Sequence, residues 1–180
     1  MMKRYAYLLA VGLILPNLAM GDTLRLPSEA RIDVQVVDTL ELDRTSPDRA
    51  NVLLKPVVRQ DDPPPLPAHC LITADARLVE DRMRLSANTL TCIEVMGDTR
   101  EIFSGELSAA AFDANGDFGV NATCTASDER GCQRAELRPA HAFQLELGQA
   151  LSIEAQDNPS ARLNEQRRQA ATADNGADAD

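Results

Sequence analysis

The stretch from Cys70 to Cys92 reads CLITADARLVEDRMRLSANTLTC and carries the strongest structural signal of this chain. Two runs of β-prone residues flank a polar turn around Asp81, which is the pattern of an antiparallel hairpin. A hairpin centred on Asp81 places Cys70 opposite Cys92 and Ile72 opposite Leu90. Opposed Cα atoms of a non-hydrogen-bonded pair lie about 4.5 Å apart, within the span of a disulfide. The sequence therefore predicts a hairpin closed by a Cys70–Cys92 disulfide.

The apolar alternation within this hairpin is imperfect. In the register that the cysteines set, Leu78 and Leu85 fall on opposite faces of the two strands. A sheet that is covered on both faces accommodates such a pattern. We therefore expect a curved sheet or barrel wall rather than a simple sandwich face. The disulfide would contribute about 3 kcal/mol to stability in the chain-entropy model.

The remaining cysteines, Cys124 and Cys132, bracket the polar turn Thr125 to Gly131. A disulfide between them would close a short loop. Four cysteines allow three pairings, and spacing alone does not choose among them. The hairpin registers favour sequential pairing, in which Cys70 bonds Cys92 and Cys124 bonds Cys132. Paired cysteines are the expected state in an oxidising compartment.

Two strands are predicted before the first hairpin. Partial alternation of apolar and polar residues predicts one strand from Arg31 to Leu42, and a second strand runs from Asn51 to Arg59. Asp43 to Ala50 is a turn, because it contains a Ser-Pro-Asp sequence. Asp61 to Pro65 predicts an extended connector, since its three consecutive prolines lack a backbone N–H.

Two further strand regions follow the first hairpin. A second hairpin is predicted from Gly105 to Thr125, around Asn115-Gly116, which is the strongest two-residue hairpin signal. A last strand runs from Ala142 to Leu147, and Leu151 to Glu154 extends it past Gly148.

These elements predict an all-β fold, a compact antiparallel β-barrel or sandwich with two disulfide-pinned hairpins and a polar C-terminal tail. The tail comprises residues 157–180, which are polar and small. Within it, Ser160 to Ala171 predicts a solvent-exposed helix with Ser160 as its N-cap. Thr172 to Asp180 is predicted to be disordered.

Residues 1–21 have the three parts of a secretory signal peptide, namely a basic start, an apolar stretch and a small-residue cleavage site before Asp22. The apolar stretch, Tyr5 to Leu15, is about half the length of roughly twenty residues that a spanning helix needs. An uncleaved membrane anchor is the alternative. We expect cleavage, no stable membrane span afterwards, and a β-rich periplasmic domain over residues 22–156.

The charge balance limits the kinds of partner. The 180 residues include 18 Lys and Arg against 28 Asp and Glu, which gives a net charge of −10. Removing the signal takes away Lys3 and Arg4 and makes the balance still more acidic. An acidic protein is repelled by nucleic acid and by anionic membrane surfaces. We therefore expect neither as a partner.

The residues that carry chemistry form no recognisable catalytic pattern. The two histidines, His69 and His141, are far apart and lie outside any metal-ligand spacing. The sequence contains no nucleophile elbow, phosphate loop, dinucleotide fingerprint or Cys-x-x-Cys motif. We expect no catalytic, cofactor-binding or metal site, and hence a protein that is not an enzyme.

One acidic cluster resembles the start of a calcium loop. Asp113-x-Asn115-x-Asp117 has the right initial spacing, but a complete loop needs Gly at the sixth position and Glu at the twelfth. Phe118 and Cys124 occupy those positions. A hairpin turn is the favoured interpretation, and weak calcium binding is the alternative. The paired carboxylates Asp61-Asp62 are expected to be solvated.

From about Ala50 to Glu154 the chain resembles the C-terminal domain of the TraB/TrbI family, the channel scaffold proteins of conjugative type IV secretion systems. The resemblance is carried by short motifs that occur in the family's order. These motifs are Asn51–Val58, Cys70–Ala74, Met83–Leu85, Leu90–Ile93, Arg100–Gly105, Asp113–Gly119 and Arg138–Leu147.

The resemblance implies a β-barrel domain that acts by protein–protein contact, with other secretion-channel subunits or envelope proteins as partners. Family members also carry an inner-membrane helix, a proline-rich stretch and a helical insertion that reaches the outer membrane. The sequence has no counterpart of these, and Cys124 and Cys132 stand where the insertion would be. The resemblance thus implies a reduced, periplasmic accessory component of the conjugative apparatus.

A different class of function is also compatible with the sequence. A secreted, disulfide-stabilised binding or inhibitor domain could use the Thr125 to Gly131 loop to contact a single protein target, because a rigid loop lowers the ordering cost of binding. An exported enzyme is a third hypothesis, which is disfavoured because the sequence offers no nucleophile–base pair.

Overall fold

The computed structural model describes residues 23–58, 65–67, 69–96, 99–129, 131–156 and 158–177. The predicted signal peptide, residues 1–21, lies outside them. The described residues are mostly strand with one helix, which confirms the all-β class. In chain order the elements are β1 (Thr23–Leu26), β2 (Arg31–Val36), β3 (Leu40–Asp43), β4 (Asp48–Pro56), β5 (Cys70–Val79), β6 (Arg82–Met96), β7 (Thr99–Phe112), β8 (Val120–Asn121), β9 (Thr123–Asp128), β10 (Gly131–Leu137), β11 (Phe143–Leu147), β12 (Leu151–Glu154) and α1 (Pro159–Ala177).

The main sheet is antiparallel and closes on itself. Its hydrogen-bonded order is β5-β4-β2-β11-β7-β6-β8, and β5 also pairs with β6. Six strands therefore form a ring, to which the two-residue β8 is attached through β6. Closure leaves no free edge within the ring, and a free edge is where sheets of different molecules associate. The predicted compact antiparallel architecture is confirmed.

Two smaller antiparallel sheets complete the fold. One has the order β3-β10-β9, and the other consists of β1 and β12. The interior is built from aliphatic side chains that alternate along the strands, as on β5, where every second residue from Cys70 is buried. The largest fully buried side chains are Phe103, Phe143, Ile32, Leu54, Leu66, Ile72, Met83, Leu85, Leu90, Leu137, Leu145 and Leu147.

The first disulfide hairpin has the predicted register at its open end. Cys70 lies opposite Cys92, and Ile72 lies opposite Leu90. Nearer the turn the register shifts by one residue, because Asn88 of β6 has no partner on β5. An extra residue of this kind is a β-bulge. Its effect is to shorten the predicted turn to the two residues at 80–81.

The bulge corrects the expectation for Leu78 and Leu85. It places Leu78 opposite Met83 and Ala76 opposite Leu85, and all four side chains are buried on the same face. One extra residue exchanges the two faces of a strand, so β6 buries odd-numbered residues before Asn88 and even-numbered residues after it. The inference from these leucines that the hairpin is covered on both faces was therefore wrong.

The predicted strand from Arg31 to Leu42 is in fact two strands, β2 and β3, which belong to different sheets. After β3 the side chain of Asp43 accepts hydrogen bonds from the backbone N–H groups of Thr45 (2.9 Å) and Ser46 (2.8 Å), which forms the expected turn. β4 then begins before the predicted Asn51 and ends before the predicted Arg59. The connector residues Asp61–Pro64 lie outside the described residues.

The predicted hairpin from Gly105 to Thr125 differs from the observed pairing. The outgoing strand is the end of β7, but the return strand β8 pairs with β6, where Met83 lies opposite Val120. Only isolated bridges join Phe112 to Phe118 and to Gly119. β7 instead forms a long hairpin with β6. This hairpin was not predicted from the sequence.

The C-terminal elements also differ in part from expectation. β11 agrees with the predicted last strand, but β12 is a separate strand that pairs with β1 rather than an extension of β11. The helix begins at Pro159, a residue well suited to a first helical turn, and it continues to Ala177. The prediction of disorder from Thr172 was wrong as far as Ala177, and residues 178–180 lie outside the described residues.

Deleting Asn88 tests the role of the bulge. We expect the deletion to cost more than about 4 kcal/mol of unfolding free energy, because either half of β6 would turn its buried side chains to solvent. The matched variant Asn88→Ala keeps the extra residue and loses only a hydrogen bond, at a cost of about 1 kcal/mol. Urea denaturation measures both values. Equal costs would contradict the proposed role of the bulge.

Candidate functional site

The Cys70–Cys92 disulfide joins β5 and β6 at the open end of their hairpin. The two cysteines are directly opposite each other, with 4.0 Å between their Cα atoms, and both are buried. The residues that follow them, Leu71 and Ile93, point outward from the same pair of strands. The bond therefore fixes these two exposed side chains relative to each other.

The Cys124–Cys132 disulfide joins β9 to β10, with 5.7 Å between the Cα atoms. The predicted sequential pairing is thus confirmed for both bonds. The expected polar turn from Thr125 to Gly131 is mostly strand, because β9 continues to Asp128. Cys132 lies opposite Ser127 and Cys124 lies opposite Ala135, so the two cysteines are not directly opposite each other, and the two register shifts of the hairpin lie on either side of Arg134. Two disulfides are compatible with an oxidising extracellular or periplasmic location.

The carboxylate of Asp113 organises the turn between β7 and β8. Asp113 is only 5 % exposed. Its Oδ1 accepts the backbone N–H groups of Asn115 (2.9 Å) and Asp117 (3.0 Å). Its Oδ2 accepts the Arg82 guanidinium (2.7 Å) and the Asn121 amide (3.0 Å). The structure thus has a tightly bonded turn at the residues that resemble the start of a calcium loop.

Arg82 completes this turn from β6. Its guanidinium also donates to the carbonyl oxygens of Phe118 (3.0 Å) and Gly119 (2.6 Å). The hydrogen bond from Arg82 holds the pKa of Asp113 below its ordinary value, and the N–H groups of Asp117 and Asn115 act in the same direction against the effect of burial. The ionised pair holds the backbone of Phe118 in a fixed position on the surface.

The histidines remain separate from any candidate chemistry. His69 and His141 are both exposed, and the carbonyl oxygen of His69 accepts the N–H of Ile93 (2.9 Å). The part of the chain that the structure describes contains no group of three or more His, Cys, Asp or Glu side chains that could hold a metal ion. The paired carboxylates Asp61 and Asp62 lie outside it.

Four large apolar side chains are exposed on the outer face of the main sheet. They are Leu53 on β4, Leu71 on β5, and Ile93 and Val95 on β6, with 43 to 52 % of each accessible to solvent. Leu53 lies opposite Thr73, and Leu71 lies opposite Thr91, so the four residues run diagonally across three adjacent strands. We call this set the apolar stripe. A set of exposed apolar groups on neighbouring strands of a folded domain is a candidate contact surface.

The sequence contains a signal for the apolar stripe, although the stripe was not predicted. Three residues of the apolar stripe are adjacent in sequence to a buried apolar residue. The pairs are Leu53 with Leu54, Leu71 with Ile72, and Ile93 with Cys92. Successive residues of a strand point to opposite faces. Two adjacent apolar residues in a strand with one buried face therefore leave one of them on the surface.

A second exposed surface is the edge strand β9. β9 is at the end of the three-stranded sheet and pairs only with β10 in that sheet. All six of its side chains are exposed. An edge strand offers backbone donors and acceptors to an added strand, although the register shifts within this hairpin also alter the twist of the edge.

No protein-family model matches the chain, and no curated protein matches it. Among the described residues, no helix combines the length and the apolar character that crossing a membrane requires.

Removal of each disulfide has a distinct expected cost. The double variant Cys70→Ala/Cys92→Ala should lose about 3 kcal/mol of unfolding free energy from loop closure, plus a packing term because both residues are buried. The Cys124–Cys132 disulfide closes a shorter loop, and one of its cysteines is exposed. The variant Cys124→Ala/Cys132→Ala should therefore lose less unfolding free energy. Denaturant titration gives both values. A greater loss from the second pair would contradict this ranking.

The low pKa of Asp113 predicts a pH dependence. Its ionised form is favoured in the folded state, so its contribution to stability is present above the unfolded pKa of about 3.8 and is lost as the pH falls through the lower folded value. Asp113→Asn should lower the Tm at neutral pH and flatten its fall in acid. Thermal melts from about pH 5 to about pH 2 measure this effect. The exposed Asp38→Asn is the control, and an equal change in that variant would refute the assignment.

Proposed function

We propose that this chain is an exported structural protein that acts through protein–protein contact, as a periplasmic accessory component of a conjugative type IV secretion apparatus. The observation that carries the proposal of a contact function is the apolar stripe. Its partner would be the periplasmic part of another channel subunit, which would cover Leu53, Leu71, Ile93 and Val95.

The position of the apolar stripe favours binding. Leu71 and Ile93 directly follow the two cysteines of the buried disulfide, on adjacent strands. Their relative placement is therefore fixed before a partner arrives, and less conformational entropy is lost when it does. Between them and around them lie Thr73, Thr89 and Thr91, which supply hydroxyl groups for a polar border. An apolar centre with a polar rim is the usual anatomy of a protein interface.

The cellular setting is proposed from the sequence. The signal-like residues 1–21 and the TraB/TrbI resemblance over about Ala50 to Glu154 support export to the periplasm and a place in the conjugative channel. The disulfides support an oxidising compartment. In this setting the β domain would join the channel by contact with other channel subunits.

A specific observation also favours a second candidate function. The exposed edge strand β9 is fastened to β10 by the Cys124–Cys132 disulfide. A secreted binding or inhibitor domain could use this edge to take up an extended segment of a single target protein. The two functions place the contact on different surfaces, so variants of each surface separate them.

Polar substitution of the apolar stripe tests the proposed function. A tagged chain recovered from its native envelope should co-purify with secretion-channel subunits in a large assembly. Leu71→Gln/Ile93→Gln should reduce this recovery at least about tenfold, because buried apolar side chains contribute about 1.5–3 kcal/mol each. Its Tm should stay close to that of the unchanged chain, since both side chains are exposed. Quantitative mass spectrometry and size-exclusion chromatography measure these outcomes.

Leu163→Gln is the matched control, because Leu163 is an exposed apolar residue on α1, outside the apolar stripe. Recovery with the channel should be unchanged in this variant. The chain could instead be recovered in a small complex with one unrelated protein. If that complex persists in Leu71→Gln/Ile93→Gln and is lost in Thr125→Pro, a variant of β9, the result would contradict the channel function and support the binding-domain candidate. Recovery of a lone monomer would contradict both.

A further inference from the structure

A surface groove of about 460 Å³ lies where β4, β5 and β6 meet the turn that precedes β8. The residues that matter for its chemistry are Asp48, Arg49, Asp75, Arg77, Arg84 and Phe118. The groove is separate from the apolar stripe and from the edge strand β9, since it shares no lining residue with either. Its volume is in the range of sites that accommodate small ligands or a few residues of a peptide.

A bulge in β4 shapes one wall of the groove. The register of β4 against β5 shifts between Arg49 and Val52, so Ala50 and Asn51 have no partner on β5. Asn51 has a φ of 58°, a conformation that asparagine adopts more readily than most residues. The carboxylate of Asp75 accepts the N–H of Asn51 (3.2 Å) and so holds the bulge in place.

Both carboxylates of the groove are engaged within the protein. Asp48 forms a two-pronged ion pair with Arg77, in which Nη2 lies 3.2 Å from Oδ2. The hydrogen bond from Arg77 lowers the pKa of Asp48, so this pair stays ionised at neutral pH. Asp75 accepts Asn51 with one oxygen and the side chain of Asn88 with the other (2.9 Å).

Two guanidinium groups remain available to a ligand. Arg49 is exposed, and no carboxylate of the described residues lies within ion-pair distance of it. The same holds for Arg84, whose guanidinium lies 5.2 Å from the centre of the Phe118 ring. A cation over an aromatic face is stabilised there and keeps its N–H edge free for a carboxylate. The groove is therefore a positive spot on a chain whose net charge is −10.

Phe118 supplies a rigid apolar surface beside the arginines. Its side chain is 47 % exposed, yet its ring packs edge-on against Phe112 with 5.7 Å between the centroids. Its carbonyl oxygen is held by Arg82, and that arginine is held by the buried Asp113. An exposed aromatic ring that is already fixed loses little freedom when a ligand packs on it.

We infer that this groove binds an acidic peptide segment of a partner protein. The segment carries at least two carboxylates, which pair with Arg49 and Arg84, and an aliphatic or aromatic side chain that packs against Phe118. Charge complementarity selects this occupant. Guanidinium groups bind carboxylates through paired hydrogen bonds, and a short segment with a few carboxylates brings less negative charge to the acidic remainder of the surface than a nucleic acid does. Arg77 stays paired with Asp48 at the lining of the groove.

Peptide binding to the full chain tests the inference. The probe is a fluorescein-labelled peptide, Gly-Glu-Glu-Leu-Phe-Glu-Glu-Gly, and the control peptide has Gln in place of each Glu. Fluorescence anisotropy should show binding of the acidic peptide that weakens with added salt, and at least tenfold weaker binding of the Gln peptide. Equal binding of the two peptides, or no binding of the acidic one at low ionic strength, would overturn the inference.

Matched variants locate the site. Arg49→Gln and Arg84→Gln should each weaken binding of the acidic peptide about tenfold, because each removes one charge-assisted contact. Arg100→Gln changes the net charge by the same amount on β7, outside the groove, and should leave binding unchanged. A second peptide, Glu-Glu-Gly-Gly-Glu-Glu, keeps the carboxylates but has no apolar side chain. Phe118→Ala should weaken binding of the first acidic peptide more than binding of this one.

Two results would contradict the proposal that an acidic peptide binds in this groove. Equal weakening by Arg100→Gln would show that only the overall charge attracts the peptide. Self-association of the chain that is abolished by Arg84→Gln, in the absence of peptide, would show that the groove is filled by a second copy. Thermal melts of each variant establish that a loss of binding reflects the groove rather than unfolding.

Discussion

The closed main sheet depends on two bulges that one carboxylate joins. Asp75 lies on β5, between the bulged strands β4 and β6, and accepts a hydrogen bond from Asn51 on one side and from Asn88 on the other. A bulge leaves polar groups outside the regular ladder of hydrogen bonds. The carboxylate of Asp75 satisfies the backbone N–H of Asn51 in one bulge and accepts the side-chain amide of Asn88 in the other. Because bulges increase local twist, they also provide the curvature that closure of a sheet requires.

The same region determines both the interior and the exposed surfaces of the protein. The Asn88 bulge lets both halves of β6 bury apolar residues, so that the strand can pair with β5 and β7 along its length. The Cys70–Cys92 bond then locks the open end of the hairpin, and Leu71 and Ile93 are held beside it on the outer face. The β4 bulge shapes the groove with Arg84 and Phe118. A rigid sheet thus carries two preformed surfaces of different chemistry.

Local patterns were sufficient to predict part of this arrangement. Direct opposition of Cys70 and Cys92 follows from hairpin geometry, and the structure has that register. No local pattern predicts the bulge at Asn88. The only sign of it in the sequence was that Leu78 and Leu85 fall on opposite faces in a hairpin without a bulge. The pairing of β8 with β6 depends on the contact between Arg82 and Asp113, which are 31 residues apart, and no short-range pattern encodes it. The apolar stripe was missed because three of its residues, Leu53, Leu71 and Ile93, directly adjoin buried residues in the sequence.

Site-specific photo-crosslinking in the native envelope tests the central claim most directly, which is that the apolar stripe contacts secretion-channel subunits. A photoreactive amino acid at Leu71 would report what lies against the stripe, and one at Glu41, an exposed residue of β3 in another sheet, would serve as the control. We predict adducts with channel subunits from position 71 and none from position 41. Adducts from position 41 alone, or none with any channel subunit, would contradict the account.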